Sequence, residues 1–454
     1  VNIGGHPAYQ NRVLTQLRKY YPDADTAFDF ATWEIMEQFW NLDLSPVDQA
    51  MQDRYSVFGP QPRLPSDMLR SYLLALKLKV NSITSWCRML RETPLYAILS
   101  GFAFGDTPGV GTFYDFFSRI WQDDRNNLSP KDCFPKMKPP KGKKKGDKTP
   151  CDSSSIASRL LPLLERWHLK PENPFFLIFR LYKQQFLDLS IHRGLIHPDC
   201  LALAGDGTPV RTSAQQRKKQ LCDCKENGCL SCHCKRHFAQ PDCNWGWHSH
   251  RECYFFGYHL YMYVASDSHS NLPIFPLLER ASRHDMLSFL HSFFTMKAYL
   301  PEFRIEKLLL DSAHDAYAVY EYCCREKITP FIDLNPGHTG HFTYKNDFTI
   351  DDDGVPVCKL GLRMHKDGYE AAKHRAKYRC PKANRKRGCF CEHPCSPAKY
   401  GRTVHIFTED NPRLFNIPPR DSKAWEKEYE YNRRTSVERS NKREKEDYKL
   451  EDGR

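Results

Sequence analysis

Two short stretches decide how the chain folds: Leu201-Ala-Leu-Ala-Gly-Asp206-Gly207 and Leu308-Leu-Leu-Asp311-Ser-Ala313. Each is a brief apolar run that ends in a carboxylate, the pattern of a buried strand whose end carries an acid. A carboxylate there is costly to desolvate unless it is hydrogen-bonded or bound to a cation. If the two strands are neighbours, both acids face one small volume, and hard oxygen donors of that kind suit Mg²⁺ or Mn²⁺. The competing reading is local: Asp311 caps a helix that begins near Ala313, and Asp206 sits in a Gly-rich turn. Asp315 and Asp333 are acids of similar setting nearby.

Around these runs the pattern after Cys200 alternates between strands and helices. Tyr254–Val264 is rich in aromatics and predicts one long strand or a hairpin with its neighbours, and Ile274–Leu278 predicts another strand. Met286–Tyr299 predicts a helix, Lys307–Leu310 a buried strand, Ala313–Arg325 a helix and Ile328–Leu334 a strand. The expectation is an α/β core, a mixed sheet flanked by helices. Residues 1–130 read as a helical N-terminal domain: Met68, Leu69, Tyr72, Leu73 and Leu76 recur at helical steps, with Ser66 and Asp67 available as caps. Residues 131–150 form a basic linker, since Pro135–Pro150 has no apolar face and repels itself. Residues 151–199 read as a helical connector, and 200–450 as the α/β domain, with Cys-rich insertions at about 214–253 and 336–420.

The chain has 454 residues, enough for two to four domains, and Lys and Arg outnumber Asp and Glu by 67 to 55. That balance suits a polyanionic partner. The apolar runs are far shorter than the roughly 20 residues of a membrane-spanning helix, so no membrane is expected. The start, Val1-Asn-Ile-Gly-Gly5, reads as neither a secretory leader nor a complete N-terminus, so a cytoplasmic protein and a fragment are expected.

The 18 cysteines bunch with histidines at metal-like spacings. Cys222, Cys224, Cys229, Cys232 and Cys234, followed by Cys243, His248, His250 and Cys253, are candidates for one or two structural Zn²⁺ sites. Cys380, Cys389, Cys391 and Cys395, with His393, form a second group beside the basic run Lys382–Arg387. Reduced thiols in exposed loops are the alternative.

Near the C-terminus, Tyr431, Arg434, Glu438 and Lys445 fall on one stripe of a helix, because displacements of four and seven residues return nearly to the same face. A solvated, charge-laced helix is the ordinary reading of such a segment. The spacing Tyr, two residues, Arg, three residues, Glu, six residues, Lys nevertheless resembles the signature of a large group of prokaryotic DDE insertion-sequence transposases with an RNase H-like catalytic domain. Asp206 in Gly-Asp-Gly-Thr-Pro-Val-Arg resembles their first acid, at the end of the first strand. Asp311 resembles the second, at the end of the fourth strand. Arg63–Met68 through Gly111–Phe117 resembles the helical domain that precedes the core, so residues 1–130 are expected to bind DNA.

This resemblance implies metal-dependent DNA cleavage and strand transfer at element ends. Asp206, Asp311 and Glu438 would hold two Mg²⁺ (or Mn²⁺) ions, Arg434 and Lys445 would contact phosphates, and Tyr431 would pack on a base or sugar. The implied partners are double-stranded DNA, as terminal inverted repeats and target, and further copies of the chain in a homo-oligomer on DNA. The implied location is cytoplasmic, at the nucleoid. A zinc-braced, DNA-contacting element is expected at the second cysteine group. Two alternatives are an inactive remnant that binds DNA through zinc and a nuclease on the same fold.

Overall fold

The computed structural model describes residues 5–23, 27–56, 58–59, 61–121, 149–150, 156–166, 174–212, 224, 226–229, 243–248, 251–335, 338–339, 348–351, 353–384, 388–429 and 433–450. The basic linker is outside this set, except for residues 149 and 150.

Between residues 5 and 121 the regular elements are helical: α1 Gly5–Tyr20, α2 Phe30–Asn41, α3 Ser45–Ala50, α4 Pro65–Lys77, α5 Ile83–Glu92, α6 Pro94–Ser100 and α7 Val110–Trp121. Their apolar faces meet in a core that includes Met68, Leu74, Trp86, Leu90, Phe113 and Phe116. Ser66 and Asp67 do not cap α4, as the sequence suggests. Pro65 takes the first helical position, and both side chains turn inward. Asp48 accepts from the Ser66 amide and hydroxyl, and Asp67 pairs with Arg12 and the buried Arg70. Burial pushes the Asp67 carboxyl up to about 6, against the pull of both guanidinium groups.

Two further helices, α8 Ile156–Glu165 and α9 Pro174–Tyr182, follow, and α9 runs on through a π turn at Lys183–Leu187. These helices are more than a connector. Leu177 and Leu181 of α9 complete the N-terminal core, while Phe179 and the following Leu187 join the core of the sheet.

That sheet is mixed and six-stranded: β1 Leu201–Arg211, β2 Asn244–His248, β3 Cys253–Ala265, β4 Leu272–Arg280, β5 Ile305–Leu310 and β6 Thr329–Ile332. β3 is central and antiparallel to its neighbours. One edge pairs with β1, and the other is shared end to end by β2 and β4. Beyond β1 come β5 and β6, both parallel to it. Parallel strands covered on both faces need continuous apolar runs, which is why Leu308–Leu310 reads as it does.

One face is covered by α8, α10 Asp285–Tyr299 and α11 Tyr317–Arg325, packed over Leu201, Leu203, Tyr261, Tyr263 and Leu308. The other face, with Ala202, Ala204, Leu260, Met262 and Leu309, is covered by α12 Lys423–Tyr429 and α13 Ser436–Lys442 through Trp425, Tyr429 and Val437. The helix expected over 313–325 is interrupted. A 3₁₀ turn, Ser312–His314, precedes α11, and buried Asp315 sits in the break. Asp315 there receives two hydrogen bonds from the buried Arg413 guanidinium, at 2.9 and 2.6 Å.

Arg413 belongs to the second insertion, which carries a three-stranded antiparallel sheet, β7 His365–Glu370, β8 Arg375–Arg379 and β9 Thr403–Phe407. It has a small core of its own, with Met364, Tyr378, Val404, Ile406 and Phe415. Among the described residues no helix is long and apolar enough to cross a membrane.

Candidate active site

In the parallel pair β1 and β5, Leu203 lies opposite Leu308 and Ala204 opposite Leu309. Two residues further along come Asp206 and Asp311, so the two acids reach the same level on adjacent strands. Asp206 is not at a strand end, as the sequence suggests, but midway along β1, where the chain leaves β5 and continues against β3 alone. Asp311 keeps an extended backbone, φ −82° and ψ 176°, so it continues the alternation of β5, and its carboxylate accepts from the Ala313 amide. The capping role and the site role therefore coexist in one residue.

Burial pushes Asp206 up to about 7, with Asp311 and Asp285 adding to the rise and His314 opposing it. Asp311 shows the reverse. Burial raises it, but the His314 ring, 2.5 Å away, wins and holds it below the ordinary carboxylate range. His314 is fully buried, and its other ring nitrogen meets the Tyr261 hydroxyl at 2.8 Å. Burial lowers the His314 pKa, yet Asp311, Asp285 and Asp206 together hold it above its usual value. The two acids at this level are thus pushed in opposite directions, Asp206 up and Asp311 down.

Asp285, His259 and His314 are site residues that the sequence reading missed. His259 Nε2 lies 2.9 Å from Asp285 Oδ1, and its other nitrogen lies 3.2 Å from Ser288 Oγ. This pair sits on the Gly207 backbone: a Cβ at Gly207 would be 2.0 Å from His259 Nε2 and 2.5 Å from Asp285 Oδ1. One signal was available in sequence. A histidine three residues after an acid in Asp311-Ser-Ala-His314 returns under that acid when the turn is 3₁₀. Asp285 gives no such signal, because α10 is brought to β1 only by the packing of the core.

Glu438 and Arg434 lie across the sheet from Asp285 and His259, on the face that carries Asp206, where α13 packs on β1 and β3 through Val437. Arg434 pairs with Glu438 at 2.7 Å, and Glu438 is 46% exposed. Burial lowers the Arg434 pKa, but Glu438, Tyr429 and Asp206 outweigh it and raise the value, so the guanidinium lies within electrostatic reach of the first acid. The expected single helical stripe is broken: Arg434 lies in the turn before α13, Glu438 within it, and Lys445 in a π turn at Arg443–Asp447 after it, where it donates to the Pro209 carbonyl on β1 at 2.5 Å. Tyr431 lies outside the described residues. The structure thus joins Asp206 and Asp311 directly and links Glu438 to them through Arg434.

Asp315 is taken up by Arg413, and Asp333 faces the Tyr429 hydroxyl. Among the described residues, no group of three or more His, Cys, Asp or Glu side chains converges as a metal cluster. Of the expected zinc ligands, Cys222, Cys232 and Cys234 lie outside the described residues, as does the side chain of Cys389. Cys224 and Cys229 share a turn, with the Cys229 amide donating to the Cys224 carbonyl at 2.7 Å. Cys380 is buried, Cys391 is half-buried, and Cys395 is exposed. No family model, curated protein or solved structure matches the chain.

Proposed function

We propose that the chain is a DDE-type transposase that cuts and joins DNA at the ends of an insertion sequence, on an RNase H-like core. The observation that carries this reading is the pairing of Asp206 and Asp311 at one level of two adjacent parallel strands, with the helix of Glu438, and Arg434 in the turn before it, over the same sheet. Setting aside β2, which forms a hairpin with β3, the first acid stands on the first strand, the second after the fourth, and the third on a helix after the fifth. This is the placement that the resemblance implies.

The acid pair fits a divalent cation: both donors are hard oxygens, and the proton that Asp206 holds to about pH 7 is one that a cation displaces. Asp206, Asp311 and Glu438 would hold Mg²⁺ or Mn²⁺, which supplies an activated hydroxyl and charge neutralisation at the leaving oxygen. His314 keeps Asp311 ionised and oriented. Arg434 serves as a phosphate contact once DNA draws it from Glu438, which leaves that carboxylate open to the site. Lys445, which reaches β1 at Pro209, steadies the backbone further along.

The test is a cleavage assay with Mg²⁺ on plasmid DNA carrying the sequences that flank the gene. Nicking that needs the metal and is lost in Asp311→Asn is expected, and nicking that survives the substitution removes the proposal. Strand-joined products separate a transposase from a nuclease on the same fold.

A further inference from the structure

The hairpin of β2 and β3 carries aromatic side chains that the acid site does not use. Trp245 pairs across the strands with Phe256, and Trp247 with Tyr254. The ring centroids are 5.5 and 4.8 Å apart at 65° and 68°, so each pair meets edge to face. Trp245 is 54% exposed, Trp247 53% and Tyr254 72%. Three large rings this open on one ladder are not core, and no aliphatic side chain shares that face of the hairpin.

Strand alternation says which way the ladder looks. Tyr254, Phe256, Tyr258, Leu260 and Met262 project to one side of β3, and Met262 is the register partner of Asp206. The open rings therefore continue the sheet face that carries Asp206. From Met262 to Phe256 is six residues, about 20 Å along the strand. Tyr258, Leu260 and Met262 are buried under α13, so the rings stand at the open end of that face, beyond the helix, and Lys445 reaches Pro209, the register partner of His259, from the helix layer. Cations flank the hairpin: Arg211 at the end of β1 reaches Cys253 Sγ at 3.5 Å, and Arg251 is exposed in the turn between β2 and β3.

From these observations we infer that the hairpin is a stacking surface for unpaired nucleotides of a DNA strand that passes over α13 and Lys445 from the acid site to the open end of the sheet face. A row of rigid rings beside cations is what sequence-tolerant single-strand binding requires, since every base presents a π face and every phosphate a charge. The inference rests on the reading that DNA crosses this face, but it requires no cleavage.

The test is binding of the full chain to a short single strand carrying 2-aminopurine and to a blunt duplex of the same sequence, with Mg²⁺ left out. In the parent, 2-aminopurine fluorescence is quenched on binding. Trp247→Ala and Trp245→Ala each weaken single-strand binding about tenfold, duplex binding changes less than about twofold, and Trp247→Phe retains most of the affinity. Equal loss on both DNAs, or no loss on either, overturns the inference. A ladder that serves a second copy of the chain gives a different result: Trp247→Ala changes the sedimentation of the free protein and leaves 2-aminopurine quenching intact, which also overturns it. Binding that behaves as expected in a chain unable to nick DNA sinks the proposed function and leaves the stacking surface standing.

Discussion

Asp206 binds its proton more tightly in the folded chain than an ordinary aspartate does, about 7 against 3.8. The folded state then carries the extra proton, so the stabilising contribution is full below about pH 4 and is lost as pH rises through about 7. Asp206→Asn removes this slope. The difference in denaturation midpoint between parent and variant, taken without divalent cation, should move in the variant's favour between pH 4.5 and 7.5; parallel curves would refute it. For the same reason, Mn²⁺ affinity measured by calorimetry should fall about tenfold per pH unit below 7, as the cation competes with one proton. Gly207 supplies a steric counterpart. An alanine there meets His259 and Asp285, and Gly207→Ala should cost about 1–3 kcal/mol in urea melts, by overpacking.

Among the elements, the second insertion is tied to the core by one buried ion pair. Arg413 reaches Asp315 in the break before α11, and Arg420 donates to the Ile332 carbonyl at the end of β6. Asp315→Ala leaves the Arg413 charge buried without its partner, and a loss of about 3–5 kcal/mol in unfolding free energy is expected. A loss under about 1 kcal/mol would mean that the pair is solvated in the working protein. The strands around the acids are insulated from such damage, because β1, β3 and β5 are held by their own ladders and by two apolar layers.

Across the whole molecule, a formal charge of +12 predicts DNA affinity dominated by phosphates. If about six phosphates are contacted, binding to duplex DNA should weaken about 10³-fold between 50 and 200 mM salt, read by fluorescence anisotropy. A flat salt response would exclude the polyanion as the partner. The shared helix α9 makes the N-terminal helices and the sheet mechanically continuous, since alternate residues Leu177, Phe179 and Leu181 feed two cores. A strand bound at the hairpin and one bound at the helices would therefore be felt by a common frame.

Apolar period and length were enough, in sequence, to show the strands at 201–204, 254–264 and 307–310, the helix at 286–299 and the two acids, since those signals are local. The spacing of Arg434, Glu438 and Lys445 was legible for the same reason, but the one helix it implies is shorter: Glu438 lies within α13, Arg434 in the turn before it and Lys445 in the π turn after it. Only tertiary packing decided that Asp206 lies within a strand, that Asp315 is a buried partner rather than a site acid, and that Asp285, His259 and His314 surround the pair. Several of the contacts that place them are distant in the chain, at 29 residues for His259 and Ser288, 53 for Tyr261 and His314, and 98 for Arg413 and Asp315. Periodicity reports which face a residue takes on its own element, whereas burial and charge between elements arise only when the sheet and its two layers close.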